Sequence, residues 1–145
     1  MEKLQFSIDI AAPSQKVWEV LWGDDTYPRW TSVFSEGSRA ETDWQEGSKV
    51  IFGDGTGSGM YSRIDRRVDN ELMSFRHLGV VKAGEEQPAD KESKEWENAM
   101  EIYRLEEKNG NTELRVELDA TAEFKDYFSE TFPKALQQVK KLSEG

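Results

Sequence analysis

The chain begins with an alternation of apolar and polar residues over positions 4–10. A period of two predicts a strand with one buried face. Residues 11–14 interrupt the alternation, and Pro13 among them suits the first turn of a helix. The apolar residues that follow recur at helical spacing: Val17, Trp18, Leu21 and Trp22. A short helix that ends at 23–25 is therefore predicted, followed by a second short helical turn at 27–30.

The period returns to two between residues 37 and 121. It is clearest in the last strand, whose apolar face comprises Thr112, Leu114, Val116, Leu118 and Ala120. The strand before it is predicted to turn inward the side chains of Trp96, Asn98, Met100 and Ile102. Between the two, Asn-Gly in 108–111 accepts positive φ and predicts a hairpin turn. The six predicted strands lie near 37–42, 48–54, 58–68, 71–80, 94–107 and 111–121.

Helical periodicity resumes from about 125 to 142. The apolar stripe of this segment comprises Phe124, Phe128, Thr131, Phe132, Ala135, Leu136, Val139 and Leu142. Pro133 lies within the pattern and is expected to kink the helix or to end its first segment. The predicted order is thus one strand, two short helices, six strands and one long helix. This order predicts an α+β fold in which an antiparallel sheet folds around a helix.

Composition narrows the class of protein. A chain of 145 residues can bury about two thirds of its surface as one domain. The absence of Cys excludes disulfides, zinc-thiolate sites and a Cys nucleophile. The net charge of −10 argues against a nucleic-acid partner and favours a monomer. No apolar run has the length of a membrane span, and the N-terminus lacks a signal-peptide pattern, so a cytoplasmic location is expected.

The glycine-rich segment Gly53–Gly59 has the composition of a phosphate-binding loop but not its context. A P-loop continues into a Lys and a helix N-terminus, whereas a strand is predicted here. Asp54 would also repel an anion. We interpret the segment as a flexible hairpin, with a mobile rim beside a pocket as the functional alternative.

His77 is the only histidine, and it faces inward if Met73 and Phe75 do. A lone inward histidine is usually a hydrogen-bonded wall residue, although its pKa also suits general acid–base work. Most carboxylates fall at solvent-facing positions and lack the spacing of a calcium loop. The sequence therefore predicts no metal and no cofactor, and His77 is its one catalytic candidate.

Aromatic residues account for 11 % of the chain, and many occupy inward positions of the predicted strands or of the last helix. They could fill the core completely. The concave side of a curved sheet also needs much filling, however, and any shortfall leaves an apolar cavity of the kind that binds ligands. The pattern is compatible with both a filled core and a cavity.

Several segments also occur in a characteristic order. Ile8–Pro13 leads into a helix over Val17–Leu21, and Tyr27–Trp30 follows. Trp44–Ser48 then precedes the glycine-rich turn into Gly59–Tyr61. In this order, and in its long C-terminal helix, nearly the whole chain resembles the START-like (SRPBCC) superfamily. Within it, the chain is similar to the branch of the activator of heat-shock protein 90 ATPase homologue.

The resemblance implies a helix-grip fold in a single START-like domain over residues 1–145. In this fold, a seven-stranded antiparallel sheet curves around the C-terminal helix, and two short helices follow the first strand. The resemblance also implies a cavity between sheet and helix. Members of the superfamily bind lipids, sterols, polyketides or plant hormones, some are aromatase/cyclases, and one branch works as a co-chaperone.

The leading hypothesis is a protein that binds a small hydrophobic or amphipathic molecule in this cavity. Its apolar wall would consist of Trp30, Trp44, Phe52, Met60, Phe75, Trp96, Met100, Phe128 and Phe132. His77 and Asn98 would orient a polar group, and the loops at 53–59 and 82–93 would gate access. Two alternatives stay open: a co-chaperone-like interaction module in a stress response, and a cyclase- or hydratase-like enzyme that uses His77.

Overall fold

A computed structural model of the chain describes residues 1–87 and 91–145. The elements are β1 (Glu2–Ile10), α1 (Ser14–Trp22), α2 (Tyr27–Thr31), β2 (Arg39–Glu41), β3 (Lys49–Gly53), β4 (Gly59–Val68), β5 (Leu72–Lys82), β6 (Glu85–Glu86), α3 (Lys91–Trp96), β7 (Met100–Lys108), β8 (Asn111–Ala120) and α4 (Ala122–Glu144). Their order follows the sequence prediction, with β6 and α3 as the two additional elements.

The strands form one open antiparallel sheet in the order β1-β8-β7-β5-β4-β3-β2. The two-residue β6 pairs with the end of β5, beside this path. On one face of the sheet, α4 packs against β1, α1 and α2. The predicted α+β fold of an antiparallel sheet and a long C-terminal helix is confirmed. The described residues contain eight strands rather than the seven implied, because β6 adds one.

The inward face of β8 anchors the core. All of the residues predicted on this face are buried: Thr112, Leu114, Val116, Leu118 and Ala120. β1 pairs with β8 over its whole length, from Glu2 opposite Ala120 to Ile10 opposite Thr112. Phe6 of β1 stacks on Phe132 of α4 with ring centroids 5.2 Å apart. The alternating apolar residues of β1 and β8 thus define the face of the sheet against which α4 packs.

α4 continues through Pro133 as one helix, so the expectation that a helical segment ends there is wrong. An interior proline costs about 3 kcal/mol, because it lacks an N–H and its ring clashes with the preceding turn. Its neighbours Phe132 and Leu136 are buried, and each side chain of this size contributes about 1.5–3 kcal/mol. Their burial offsets the cost. No helix within the described ranges is both long and apolar enough to cross a membrane.

The prediction of a strand over 94–107 is wrong for the first half of this range. The chain forms α3 up to Trp96, makes a turn in which Asn98 has a φ of 68°, and begins β7 only at Met100. The turn is held to β5, since Asn98 N donates to His77 O and His77 N donates to Ala99 O, both at 2.8 Å. This turn changes the phase of the strand by one residue. Its inward residues are Glu101, Tyr103 and Leu105.

The predicted loop over residues 82–93 is partly regular. It contains β6, and α3 begins at Lys91, while residues 88–90 lie outside the described residues. Gly84 N donates to Gly57 O at 2.9 Å, which joins this loop to the glycine-rich turn between β3 and β4.

The β3–β4 hairpin brings Gly53 opposite Gly59. A Cβ on Gly59 would lie 1.8 Å from the backbone oxygen of Phe52, whereas a Cβ on Gly53 would meet nothing closer than 3.8 Å. Because the backbone must move, we predict that Gly59→Ala lowers the free energy of unfolding by at least about 2 kcal/mol. Gly53→Ala should stay within about 1 kcal/mol of the wild type. Urea denaturation compares the two, and equal stabilities would contradict this close approach.

Candidate functional site

A cavity of about 210 Å³ lies between the sheet and the N-terminal half of α4. Side chains from α1, α2, α3, α4 and five strands line it, and most of them are aromatic. Its inner end is formed by rings that solvent barely reaches, such as Phe75 and Trp30. Its outer end reaches the exposed Tyr127 on α4. The arrangement combines an apolar interior with one side open to solvent.

The structure brings most of the sequence-predicted site residues to this cavity. The ones that line it are Trp30, Phe52, Met60, Phe75, His77, Trp96, Phe128 and Phe132. They come from six different elements, and the shared inward face of the sheet and the apolar stripe of α4 bring them together. Among the described residues of the loops at 53–59 and 82–93, none contributes to the cavity wall.

Three predicted site residues lie elsewhere. Trp44 packs behind the wall, with ring centroids 5.2 Å from Trp22 and 6.4 Å from Phe75. Asn98 is exposed in the turn before β7, where its backbone N–H donates a hydrogen bond to His77 O of β5. Met100 is on the outer face of the sheet, because the phase of β7 is shifted by one residue. None of the three lines the cavity, although the sequence predicts Trp44 and Met100 in its wall and Asn98 as a group that orients the ligand.

Sequence reasoning missed other residues of the wall: Trp22, Tyr27, Thr31, Phe34, Ser38, Glu101, Tyr103, Leu118, Asp119 and Tyr127. The sequence predicts Trp22 and Tyr27 only as parts of two short helices. The inward face predicted through Met100 and Ile102 would turn Glu101 and Tyr103 to solvent, whereas β7 turns them inward. The alternation of Tyr103 and Leu105 with charged residues was the available signal for the correct phase.

Glu101 and Tyr103 form a polar pair in an otherwise apolar part of the wall. The Tyr103 hydroxyl donates to Glu101 Oε1 at 3.1 Å. Burial raises the pKa of Glu101 to about 7, although the hydrogen bond from Tyr103 opposes the change. Burial, reinforced by the nearby Glu101 carboxylate, holds the pKa values of Tyr27 and Tyr103 above the usual tyrosine range. Near neutral pH, Glu101 therefore titrates while both phenols keep their protons.

His77 and Ser62 form a second polar pair. Ser62 Oγ lies 2.6 Å from His77 Nδ1, in hydrogen-bond contact. Burial lowers the pKa of His77 to about 4, against the opposing influence of the Asp119 carboxylate, so the imidazole is neutral at pH 7. Ser62 is fully buried. Its hydroxyl orients the imidazole and is out of reach of a molecule in the cavity.

The Trp22 indole adds an unpaired donor to the wall. Its Nε1 is buried and has no hydrogen-bond partner, whereas Nε1 of Trp30 donates to Leu21 O at 3.0 Å. A buried unpaired N–H costs about 1–3 kcal/mol. In the described residues, no group of three or more His, Asp or Glu side chains is arranged to hold a metal ion.

Comparisons with known proteins agree with this architecture. The family model for activator of Hsp90 ATPase homolog 1-like protein matches residues 11–144. The fold is similar to the Aha1 dimer from Colwellia psychrerythraea (TM-score 0.75, 18 % identity, 99 % of this chain and 97 % of that one). It is also similar to MLL2253 from Mesorhizobium loti (0.76, 12 %, 97 % and 96 %) and to CalU16 from Micromonospora echinospora (0.68, 16 %, 97 % and 75 %). No curated protein sequence matches the chain.

Glu101→Gln isolates the effect of the cavity carboxyl on stability. The folded state raises the pKa of Glu101 from 4.5 to about 7 and so favours the protonated form. Its stabilising contribution is complete below the unfolded pKa and is lost as the pH rises through the folded one. We predict that the free energy of unfolding of the wild type, minus that of E101Q, falls by up to about 3 kcal/mol from pH 4.5 to about pH 8.

Urea denaturation of both proteins across this pH range measures the difference. The contribution of His77 is common to the two proteins and cancels in the subtraction. A difference that does not change with pH would show that Glu101 has an ordinary pKa in the folded state.

Proposed function

The chain belongs to the family of activator of Hsp90 ATPase homolog 1-like proteins, within the START-like (SRPBCC) superfamily, and we propose that it binds a small, mainly apolar molecule in the cavity beneath α4. One observation carries the proposal: about 210 Å³ of space remains among aromatic side chains. Protein interiors are packed about as densely as organic crystals. A space of this size that is open on one side and lined mainly by aromatic side chains has the features of a ligand pocket.

The volume of the cavity sets the size of the ligand. An apolar cavity of about 150 Å³ is large enough to hold benzene. The present cavity suits a single ring with a short substituent, and a long lipid chain would require the wall to move. Burial of such a ring against Phe75, Phe52 and Trp30 supplies the main driving force for binding, because apolar surface leaves water.

We place the access route between α4 and the segment that follows α2. Tyr127 of α4 is 41 % exposed and lines the outer end of the cavity. Its hydroxyl donates to Phe34 O at 3.0 Å, and this hydrogen bond spans the opening. A single exposed hydrogen bond contributes only about 1 kcal/mol, so it can break to admit a ligand. All residues of the proposed route come from one chain, and binding by a monomer is sufficient.

A co-chaperone-like surface is the second candidate, and it is supported by the family relationship. Phe124 and Tyr127 are exposed on α4, and both rings pack against Phe128, with centroids 6.0 and 5.4 Å away. Because Tyr127 and Phe128 also line the cavity, we assign these rings first to ligand access. The enzyme alternative has weaker support, since a His77 pKa of about 4 makes the imidazole a poor base at neutral pH.

Filling the cavity tests the proposed function. Leu118 lines the cavity, whereas Ile102 on the neighbouring strand β7 faces the opposite side of the sheet. We predict that Leu118→Trp weakens binding of 2-phenylethanol at least about tenfold, because the indole occupies the space of the ligand. Ile102→Trp adds similar bulk outside the cavity and should leave the affinity unchanged. Isothermal titration calorimetry measures both, with near-ultraviolet circular dichroism as the check on folding.

Native mass spectrometry of protein purified without denaturation complements this test by identifying any molecule that is already bound. Failure of the wild type to bind any single-ring probe would contradict the proposal. Stimulation of a chaperone ATPase would then be the next assay, with Phe124→Ala as its first variant.

A further inference from the structure

The charged groups in the cavity wall have one sign. The described residues that line the cavity include two carboxyl groups, Glu101 and Asp119, and no lysine or arginine. His77 is also in the wall but is neutral at pH 7, because burial lowers its pKa to about 4. A ligand in this cavity therefore meets negative charge without a compensating cation from the protein.

Among the described residues, Glu101 and Asp119 each accept one hydrogen bond, and Glu101 is the one that lies on the inward face of β7. Its Oε1 accepts one hydrogen bond from Tyr103, and no lysine or arginine in the described residues forms an ion pair with it. Asp119 already accepts a hydrogen bond from the backbone N–H of Met100 at 2.9 Å. A buried carboxylate that lacks a cation is costly. A cationic group on the ligand would supply the missing partner.

The side chains around Glu101 are suited to a cation as well. Phe75 is directly opposite Glu101 in the β5–β7 ladder. The Trp22 ring has its centroid 5.0 Å from that of Tyr103 and 5.4 Å from that of Phe75. The faces of such rings carry negative potential and attract ammonium groups.

We infer that the ligand is an organic cation, a protonated amine on a single-ring body, whose ammonium group pairs with Glu101 among the surrounding rings. This inference rests on the proposed function and names the ligand class of the same cavity. An anionic ligand would be repelled by both carboxyl groups. A neutral alcohol would form only a hydrogen bond, which is about half as strong as a charge-assisted one.

The inference also predicts how affinity depends on pH. The titratable groups that share the cavity wall with Glu101 include Tyr103 on its own strand, Tyr27 on α2, His77 on β5 and Asp119 on β8. Both phenols keep their protons, and the imidazole stays neutral, between pH 6 and 8. Glu101, whose pKa is about 7, is then the group that changes charge. Since an ammonium group binds the carboxylate form, affinity for an amine should rise about tenfold from about pH 6 to about pH 8.

Three probes of similar size test the inference: 2-phenylethylamine, 2-phenylethanol and phenylacetate. At about pH 8, the wild type should bind the amine at least about tenfold more tightly than the alcohol, and phenylacetate most weakly. Glu101→Gln should remove the preference for the amine while the alcohol binds as before, which also shows that the variant is folded. Glu106→Gln is the matched control, because it removes an exposed charge from the same strand outside the cavity.

The outcomes separate the two proposals. If the alcohol or phenylacetate binds as tightly as the amine, the cavity binds ligands but the inference of a cation is wrong. If Glu106→Gln weakens amine binding as much as Glu101→Gln does, the effect comes from the overall charge of −10 and the inference is likewise wrong. If none of the three probes binds, the proposed function fails and the inference fails with it.

Discussion

The structure depends on how one long helix covers a twisted sheet. A helix of 23 residues is about 34 Å long, and neighbouring strands in a sheet are rotated relative to one another. Close contact along the whole helix is therefore not possible. The buried residues of α4 are concentrated in its C-terminal half, from Thr131 to Ser143, while its first turns are exposed. Side chains from the short helices cover the sheet beneath those turns. Such large, rigid rings leave a gap, and this gap is the cavity.

The position of Glu101 follows from the same constraint. In a fully packed core, a carboxyl on the inward face of β7 would be isolated from water, at a cost of several kcal/mol. Here the cavity borders it, and Tyr103 donates one hydrogen bond. Functional sites are the places where a protein keeps a residue that its local environment disfavours. Glu101 is such a residue, because the pattern of β7 would otherwise place an apolar side chain there.

The parts of the fold that were predictable from the sequence carry local signals. β1 and β8 alternate cleanly, α4 has one apolar stripe, and Asn109-Gly110 adopts the positive φ values that its hairpin requires. The inward-facing residues of β7 were not predictable from the residues before Met100, because the turn at Asn98 shifts the alternation by one residue. The cavity was not predictable in detail either. Its existence depends on the volumes of side chains from many elements, and a one-dimensional pattern contains no information about how they fit.

Glu101 and His77 have opposite effects on the free energy of unfolding as the pH changes. Glu101 stabilises the fold below its unfolded pKa of 4.5, and this contribution is lost as the pH rises through about 7. His77 stabilises the fold above its unfolded pKa of 6.5, and its contribution is lost as the pH falls through about 4. Between these limits the two contributions change in opposite directions by similar amounts, so their sum varies little. Ligand binding has no such compensation, because His77 stays neutral above about pH 6 while Glu101 gains its charge. Together, these two residues therefore add little to the pH dependence of stability, whereas binding of the proposed amine follows the charge of Glu101.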